Sequence, residues 1–394
     1  MTEVIDLGCY GDTFRTDPHP VYAELRARGP VHRVRPPGAG PEHETWLVVG
    51  HEEARAALAD PRLAKDPAKL GMTFLDEEHI GKYLLSVDPP DHTRLRSLVT
   101  RAFTPRRVEQ LRPRVQQITD ELLDAMLPHA RADLVESLAF PLPITVICEL
   151  LGVPEMDRAA FRKMSTEVVA PSSSGSEYDA VVRLAEYLTA LIEDKRAGGP
   201  SDDLLGDLIR TTAEDGDRLS AGELRGMAYL LLVAGHETTV NLIANGVHAL
   251  LTHPVQLADL RADMGLLDGA VEEMLRWEGP VETATFRFAA EPMEIAGVPI
   301  AQGESVLVGL TAAGRDPRRY TDPDRFDIRR DPRGHVAFGH GIHFCLGAPL
   351  ARLEGRTAIR TLLERAPGLA LDGPSGDWLP GMLMRGMRSL PVRW

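Results

Sequence analysis

The stretch from Ser220 to about Leu251 limits the fold of this chain more than any other. Ser220 and Glu223 have the spacing of a capping box, in which each side chain satisfies a free N–H at the start of a helix. Apolar residues then recur until His253-Pro254, where the proline ends the pattern. At about 1.5 Å per residue such a helix spans roughly 45 Å, enough to cross a whole domain. Met227 to Leu251 carries one formal charge and approaches membrane-span length. It also holds His236, Glu237, Thr238, Thr239, Asn241, Asn245 and His248. Polar groups at that density are expensive in lipid, so a buried central helix is expected. The chain has 394 residues, 43% of them hydrophobic, which suffices to bury it.

Helical periodicity dominates the remainder. Helices are expected over 20–28, 52–59, 92–103, 105–127, 143–151, 155–169, 178–196, 203–212, 256–262 and 266–277. Strand-like pieces fall at 45–50, 285–289, 293–295, 305–310 and 390–393. The expectation is a mainly α protein with a small β component, forming a single domain over 1–394 around the long helix. The N-terminal MTEVIDLGCYGDTF has neither a basic n-region nor a long apolar run, so no signal peptide or membrane anchor is expected and a cytoplasmic location is. The net charge of −14 argues against nucleic acid as a partner.

The three cysteines, Cys9, Cys148 and Cys345, are too widely spaced for a disulfide framework. Cys345 stands apart because it ends the glycine-rich loop Phe338-Gly339-His340-Gly341-Ile342-His343-Phe344, just before a helical pattern that begins near Gly347. Free N–H groups at a helix start stabilise a thiolate. Phe344 and Leu346 are expected to keep water from the sulfur. A lone shielded thiolate suits an axial haem-iron ligand. A dinucleotide loop would need a third glycine where Phe344 stands. A zinc cluster from His340, His343 and Cys345 lacks a further Cys/His pair. A buried structural thiol is the remaining alternative.

Within the long helix, Ala234-Gly235-His236-Glu237-Thr238-Thr239 puts an acid and an alcohol into apolar surroundings. Burying them costs free energy unless they have partners or a task. Ala234 and Gly235 remove bulk so that a ligand can approach, and the Glu237–Thr238 pair suits water binding and proton transfer. A polar notch at a helix–helix contact is the alternative. His236 is expected to face away from the pocket. A third constellation, Glu273-Met274-Leu275-Arg276, sets an acid and a base at i and i+3 on one helix face among apolar neighbours. A buried pair of that kind wants a third partner, for which Arg315 and Arg325 are candidates.

Together and in this order, F-G-x-G-x-H-x-C-x-G, A-G-x-E-T-T and E-x-x-R closely resemble the cytochrome P450 family of haem-thiolate monooxygenases, over essentially the whole chain. The resemblance implies haem b (iron protoporphyrin IX) with Cys345 as the proximal iron ligand. Around it would stand the binding loop's Phe338, Gly339 and Gly347, with Ala234 on the long helix. Glu237 and Thr238 would form the catalytic, proton-delivering pair. Glu273 and Arg276 would be the structural ion pair. His92, Arg96, Arg287 and His343 would hold the propionates, with Arg94 a surface cation. Gly314 departs from the family, which often has asparagine there.

The resemblance also implies two electrons from a separate ferredoxin and ferredoxin reductase. Arg106, Arg107, Arg112 and Arg114, and the helical stripe Arg352, Arg356 and Arg360, are candidates for their docking face. The C-terminal Arg385-Gly386-Met387-Arg388-Ser389-Leu390-Pro391 and the Gly/Pro/Arg-rich composition look like actinobacterial enzymes that tailor macrolide and other polyketide antibiotics. The expected activity is hydroxylation or epoxidation of a bulky hydrophobic substrate by a monomeric enzyme. The pocket would draw on 72–87, 281–285 and 383–384, and Asp76, Glu77 and Glu78 could receive an amino sugar. A haem-thiolate sensor or ligand-binding protein without oxygenation is the alternative.

Overall fold

A computed structural model of the chain describes residues 3–40, 42–71, 79–154, 158–169, 175–214, 219–374 and 376–394. Asp76, Glu77 and Glu78 lie outside the described residues. The fold is mainly helical, and the chain forms two compact units. The first comprises Met1–Ala64, Thr119–Ala139 and Thr238–Trp394; the second comprises Lys65–Ile118 and Phe140–Glu237.

The first unit contains every described strand. They are β1 (Val4–Asp6), β2 (Val31–Arg35), β3 (Thr45–Val48), β4 (Leu63–Ala64), β5 (Arg131–Asp133), β6 (Arg287–Ala289), β7 (Met293–Ile295), β8 (Val298–Ile300), β9 (Ser305–Val308), β10 (Ala370–Leu371) and β11 (Pro391–Arg393). The main sheet has the order β1-β2-β3-β9-β6-β4. Its centre is the parallel pair β3–β9, in register Trp46↔Val306, with β6 antiparallel to β9 at Arg287↔Val306. Successive strand residues point to opposite faces. Trp46, Val48, Val306 and Val308 pack in one core with Leu58 and Ile300, and Leu47, Val49 and Leu307 pack in another with Tyr22 and Leu25. Arg287 stands at the start of β6 in this sheet. A second sheet runs β10-β11-β5, and β7–β8 is a hairpin turned by Ala296 and Gly297 at φ 51° and 82°.

The second unit is helical. Its helices include Asp91–Ala102, Pro105–Gln110, Pro141–Leu151, Arg158–Val169, Ser176–Gly198 and Leu204–Glu214. The single helix expected over 105–127 is instead two, broken at Leu111 before Arg112–Met126. Pro113, which has no N–H to donate, stands in the first turn of the later piece, where none is needed.

The long helix runs unbroken over Ala221–Thr252, its first part in one unit and the part from Thr238 in the other. The capping box is formed: Ser220 N donates to Glu223 Oε2 at 2.7 Å and Glu223 N donates to Ser220 Oγ at 3.2 Å. The helix is long and apolar enough to cross a membrane, but 67% of its most apolar window is buried inside the protein.

Candidate active site

Cys345 lies at the end of a loop closed on itself, where its N–H donates to Phe338 O at 2.9 Å. Gly339 and Gly341 have φ of 72° and 73°, a left-handed conformation that favours glycine. At Gly341 a side chain also lacks room, since its Cβ would stand 3.0 Å from Ala59 Cα and from Leu58 O. The loop thus rests on the end of the His51–Ala59 helix. Gly347 caps the Ala348–Arg365 helix, and a Cβ there would sit 3.8 Å from the Cys345 sulfur. The thiol is unbridged and half-buried at this helix start. The Phe338 and Phe344 rings lie 6.3 Å apart. Phe344 is 41% exposed, so the shield expected from it is partial, and Ile342 beside it is exposed as well.

These residues fit haem. Among the described residues no group of three or more His, Cys, Asp or Glu is arranged to hold a metal ion. A metal at Cys345 must therefore bring its other ligands with it, as porphyrin iron does. Ile342 and Phe344 of the same loop are apolar and exposed, which suits an apolar macrocycle.

On the long helix Leu231 and Thr238 are half-buried and Ala234 is exposed. At i, i+3 and i+7 they form one accessible stripe on a helix that is otherwise largely buried. Gly235 serves a different end from the one expected. A Cβ there would meet Ile147 Cδ1 at 3.0 Å, so this glycine lets the Pro141–Leu151 helix approach. His236 faces the core: Nδ1 donates to Leu232 O at 2.8 Å, Nε2 lies 3.1 Å from Ser165 Oγ, and the Phe140 and Phe161 rings meet it edge-on. Burial pushes its pKa down to about 4, so it is neutral near pH 7. Its Nε2 stands 3.7 Å from Glu237 Oε2, a contact without ionic character while the ring is neutral. Glu237 itself is buried.

The Leu267–Trp277 helix buries the Glu273–Arg276 pair completely. Arg276 Nε and Nη2 donate to the carboxylate at 2.7 Å each, and Nη1 donates to Gly314 O and Pro323 O at 2.8 Å each. The third charged partner is Arg330, whose Nε lies 3.2 Å from Glu273 Oε1. Arg325 gives only its carbonyl, and Arg315 turns away to Glu278. The glycine at 314 has a local reason, because a Cβ there would stand 2.3 Å from Arg276 O.

The propionate candidates are basic groups with restricted access to water. His92 is buried in the first turn of Asp91–Ala102, and Arg96 follows one turn later on the same face. Burial and the Arg96 charge lower the His92 pKa against a smaller pull from Asp88. Arg287 is buried at the start of β6, with Nη1 3.4 Å from Thr285 O, and His343 is half-buried in the cysteine loop. Such donors suit carboxylates brought out of water. Arg94, expected at the surface, instead pairs with Glu223 of the capping box.

Sequence reasoning missed a second buried charge cluster in the first unit. Glu278 accepts from His19 Nε2 at 3.1 Å, Arg315 Nη2 at 3.2 Å and Arg385 Nε at 2.8 Å. Burial would raise the Glu278 pKa, but His19, Arg385 and Arg315 hold it well below the usual range. Nearby, Tyr22 OH donates to Glu282 at 2.5 Å. Burial pushes Glu282 up to about 7, with Arg385 and Tyr22 pulling the other way. The signal was present in Glu278, an acid directly after an apolar helix, but its partners are remote in sequence.

Residues 164–366 match the model of the cytochrome P450 family. The chain is 59% identical to cytochrome P450 monooxygenase PikC of Streptomyces venezuelae, over 99% of this chain and 94% of that protein. It is 47% identical to the 6-deoxyerythronolide B hydroxylase of Saccharopolyspora erythraea, over 100% of this chain and 99% of that one. The structure of the tirandamycin C-bound P450 monooxygenase TamI superposes with a TM-score of 0.90 at 44% identity, covering 99% of each chain. This chain therefore belongs to the cytochrome P450 family, and its cofactor is haem.

Proposed function

We propose that this monooxygenase hydroxylates or epoxidises a bulky hydrophobic natural product, a macrolide or related polyketide, with residues 1–394 acting as one haem-thiolate domain. The observation that carries this reading is Thr238 on the accessible stripe of the long helix with the buried Glu237 beside it, in a chain 59% identical to PikC over 99% of its length. Haem supplies the oxygen chemistry when bound. Cys345 would hold the iron, with Phe338, Gly339 and Gly347 of its loop around the haem. Ala234 leaves space on the helix. Thr238 positions water through its hydroxyl, and Glu237 delivers protons to it from its carboxyl oxygens. His92, Arg96, Arg287 and His343 receive the propionates.

The substrate side draws on Val281–Thr285 and Leu383–Met384. Two hydrogen bonds support a common wall: Glu282 N donates to Leu383 O at 2.9 Å and Thr283 Oγ1 donates to Met382 O at 2.8 Å. Asp76, Glu77 and Glu78 would receive an amino sugar where the substrate carries one. Electrons come from a ferredoxin and its reductase. The protein works as a monomer in the cytoplasm, without nucleic acid or membrane. An oxygenating enzyme is favoured over a haem-thiolate sensor because a sensor has no use for a proton-delivery pair.

The test is a macrolide panel with and without amino sugars. It is screened first for substrate-induced spin-state change and then for oxidised product with ferredoxin, reductase and NADPH. A spin-state change with a product one oxygen heavier is the expected result. Ligands that shift the spectrum but never turn over would favour the sensor. Unchanged affinity for an aminated macrolide after Glu77→Gln with Glu78→Gln would remove the amino-sugar assignment.

A further inference from the structure

Arg352, Arg356 and Arg360 are partly exposed, and each faces one nearby acid: Glu272, Asp268 and Glu364. Arg385 is different in kind. It is 3% exposed, and all three of its side-chain nitrogens donate. Nε donates to Glu278 Oε1 at 2.8 Å, Nη1 to Arg15 O at 2.8 Å and Nη2 to Thr16 O at 2.7 Å. The guanidinium carbon lies 3.6 Å from the centre of the Trp378 ring. The backbone of Arg385 is engaged as well. Its N–H donates to Pro280 O at 2.9 Å, and its carbonyl accepts from Asn245 Nδ2 at 2.8 Å. One residue thus joins the end of the Gly11–Thr16 helix, the segment that follows the Leu267–Trp277 helix, and the long helix.

The two segments tied in this way form the expected substrate wall. Val281 and Met384 form an antiparallel bridge, next to the Glu282–Leu383 and Thr283–Met382 hydrogen bonds. Met382, Met384 and Arg385 are buried, whereas Leu383 is 39% exposed, so the loop presents Leu383 alone. The opposite limb is held by the His19–Arg28 helix. His19 and Tyr22, at i and i+3, reach Glu278 at 3.1 Å and Glu282 at 2.5 Å. Asn245 Nδ2 also donates to Glu278 O at 3.2 Å, so one amide grips both limbs.

The long helix sets the distance to the chemistry. Thr238, Asn241 and Asn245 stand at i, i+3 and i+7, on one face. Gly386 lies against the buried Asn241 with no room for a Cβ. The loop that carries Leu383 is therefore seated on the same face as the catalytic hydroxyl, about 10 Å along the helix axis at its far contact.

We propose that Arg385 is a positioning residue for substrate: it preorganises the loop 382–386 against 280–284 and the long helix, and so fixes how far Leu383 projects into the site. The inference rests on the substrate-wall reading above. A lysine at 385 keeps the charge, but its single ammonium cannot span three acceptors as the guanidinium fork does. A loop that must order itself when ligand arrives lowers the affinity for any ligand large enough to meet it. A small ligand that never meets the loop is spared.

The test is spectral titration of the oxidised holoenzyme with two azoles that ligate haem iron, bulky clotrimazole and small imidazole. The proteins are wild type, Arg385→Lys, Asn245→Ala and Leu383→Ala. Arg385→Lys and Asn245→Ala should each weaken clotrimazole binding about tenfold and leave imidazole binding within about twofold of wild type. Asn245→Ala releases the same loop without touching a buried charge. Should Arg385→Lys fail to hold haem, Asn245→Ala decides by the same criterion. Leu383→Ala reports whether the wall meets a bulky ligand, and it too should weaken clotrimazole alone. If Leu383→Ala does so while Arg385→Lys binds clotrimazole like wild type, the positioning role is overturned and the wall reading stands. If Leu383→Ala leaves clotrimazole binding unchanged, the wall reading falls and this inference with it. Equal weakening of the two azoles in Arg385→Lys would reduce Arg385 to general stability and also overturn the proposal.

Discussion

Replacing Glu273 with glutamine isolates the energetics of the buried ion pair on the Leu267–Trp277 helix. The carboxylate is fully buried and accepts from Arg276 Nε and Nη2 at 2.7 Å each, Asp327 N at 3.0 Å and Arg330 Nε at 3.2 Å. Glutamine has nearly the same shape, but it turns one acceptor oxygen into a donor that faces other donors. It also leaves two guanidinium charges with no anion. Breaking a buried pair by removing one partner costs about 3–5 kcal/mol, out of a folding free energy of about 5–15 kcal/mol. Urea unfolding of the holoprotein at pH 7, followed by tryptophan fluorescence and by the Soret band, measures this. Trp277, next to Arg276, makes fluorescence a local reporter. The comparison variant is Asp331→Asn. Its partner Arg333 donates to it with similar distances, 2.6 to 2.9 Å, but the pair is largely exposed. Geometry alone would make the two changes alike, whereas burial makes only the first severe. The reasoning is refuted if Glu273→Gln unfolds within about 1 kcal/mol of wild type, the scale of an exposed pair.

Other outcomes follow from the same geometry. Thr238→Ala and Glu237→Gln should lower product formation by about a hundredfold or more, the range of a positioned general acid. NADPH consumption should continue with peroxide as the product, and full coupling in either variant would count against the assigned roles. Burial pushes Glu354, on the helix after Cys345, up to about 8 from an ordinary 4.5, offset in part by Thr239. Between those values the folded chain binds more protons than the unfolded chain. This contribution to stability is therefore greatest below pH 4.5 and declines as pH rises to about 8. Glu354→Gln should flatten that segment of the stability–pH profile, and a retained slope would contradict it.

What could be read from sequence was what is local. The capping box, the long buried helix and the acid–alcohol pair follow from short spacings and from periodicity, and all are where the pattern puts them. The cysteine loop was legible because its glycines have a backbone reason that sequence preserves. What was not legible depended on distant partners. β2, VHRVR, was missed because its charges hide the alternation; Arg33 is neutralised by Glu44 at 2.9 Å and Arg35 by Asp6 at 3.0 Å. Arg330 joins Glu273 through a fold-back that no spacing rule encodes. The tight packing of Gly235 on Ile147 likewise appears only once two helices meet. Arginine stripes read from helical period gave charge without its counter-ions, so the Arg352–Arg360 face looked more cationic than it is.

The account stands on sulfur ligation of haem iron by residue 345. The direct measurement is the absorption spectrum of the reduced, carbon-monoxide-treated protein, taken for wild type and for Cys345→His. Wild type should show the strongly red-shifted Soret band of a thiolate-ligated haem, and the variant should lose it in favour of an imidazole-type band. A wild type without that band, or a Cys345→His protein that keeps it, would contradict the assignment of the iron ligand.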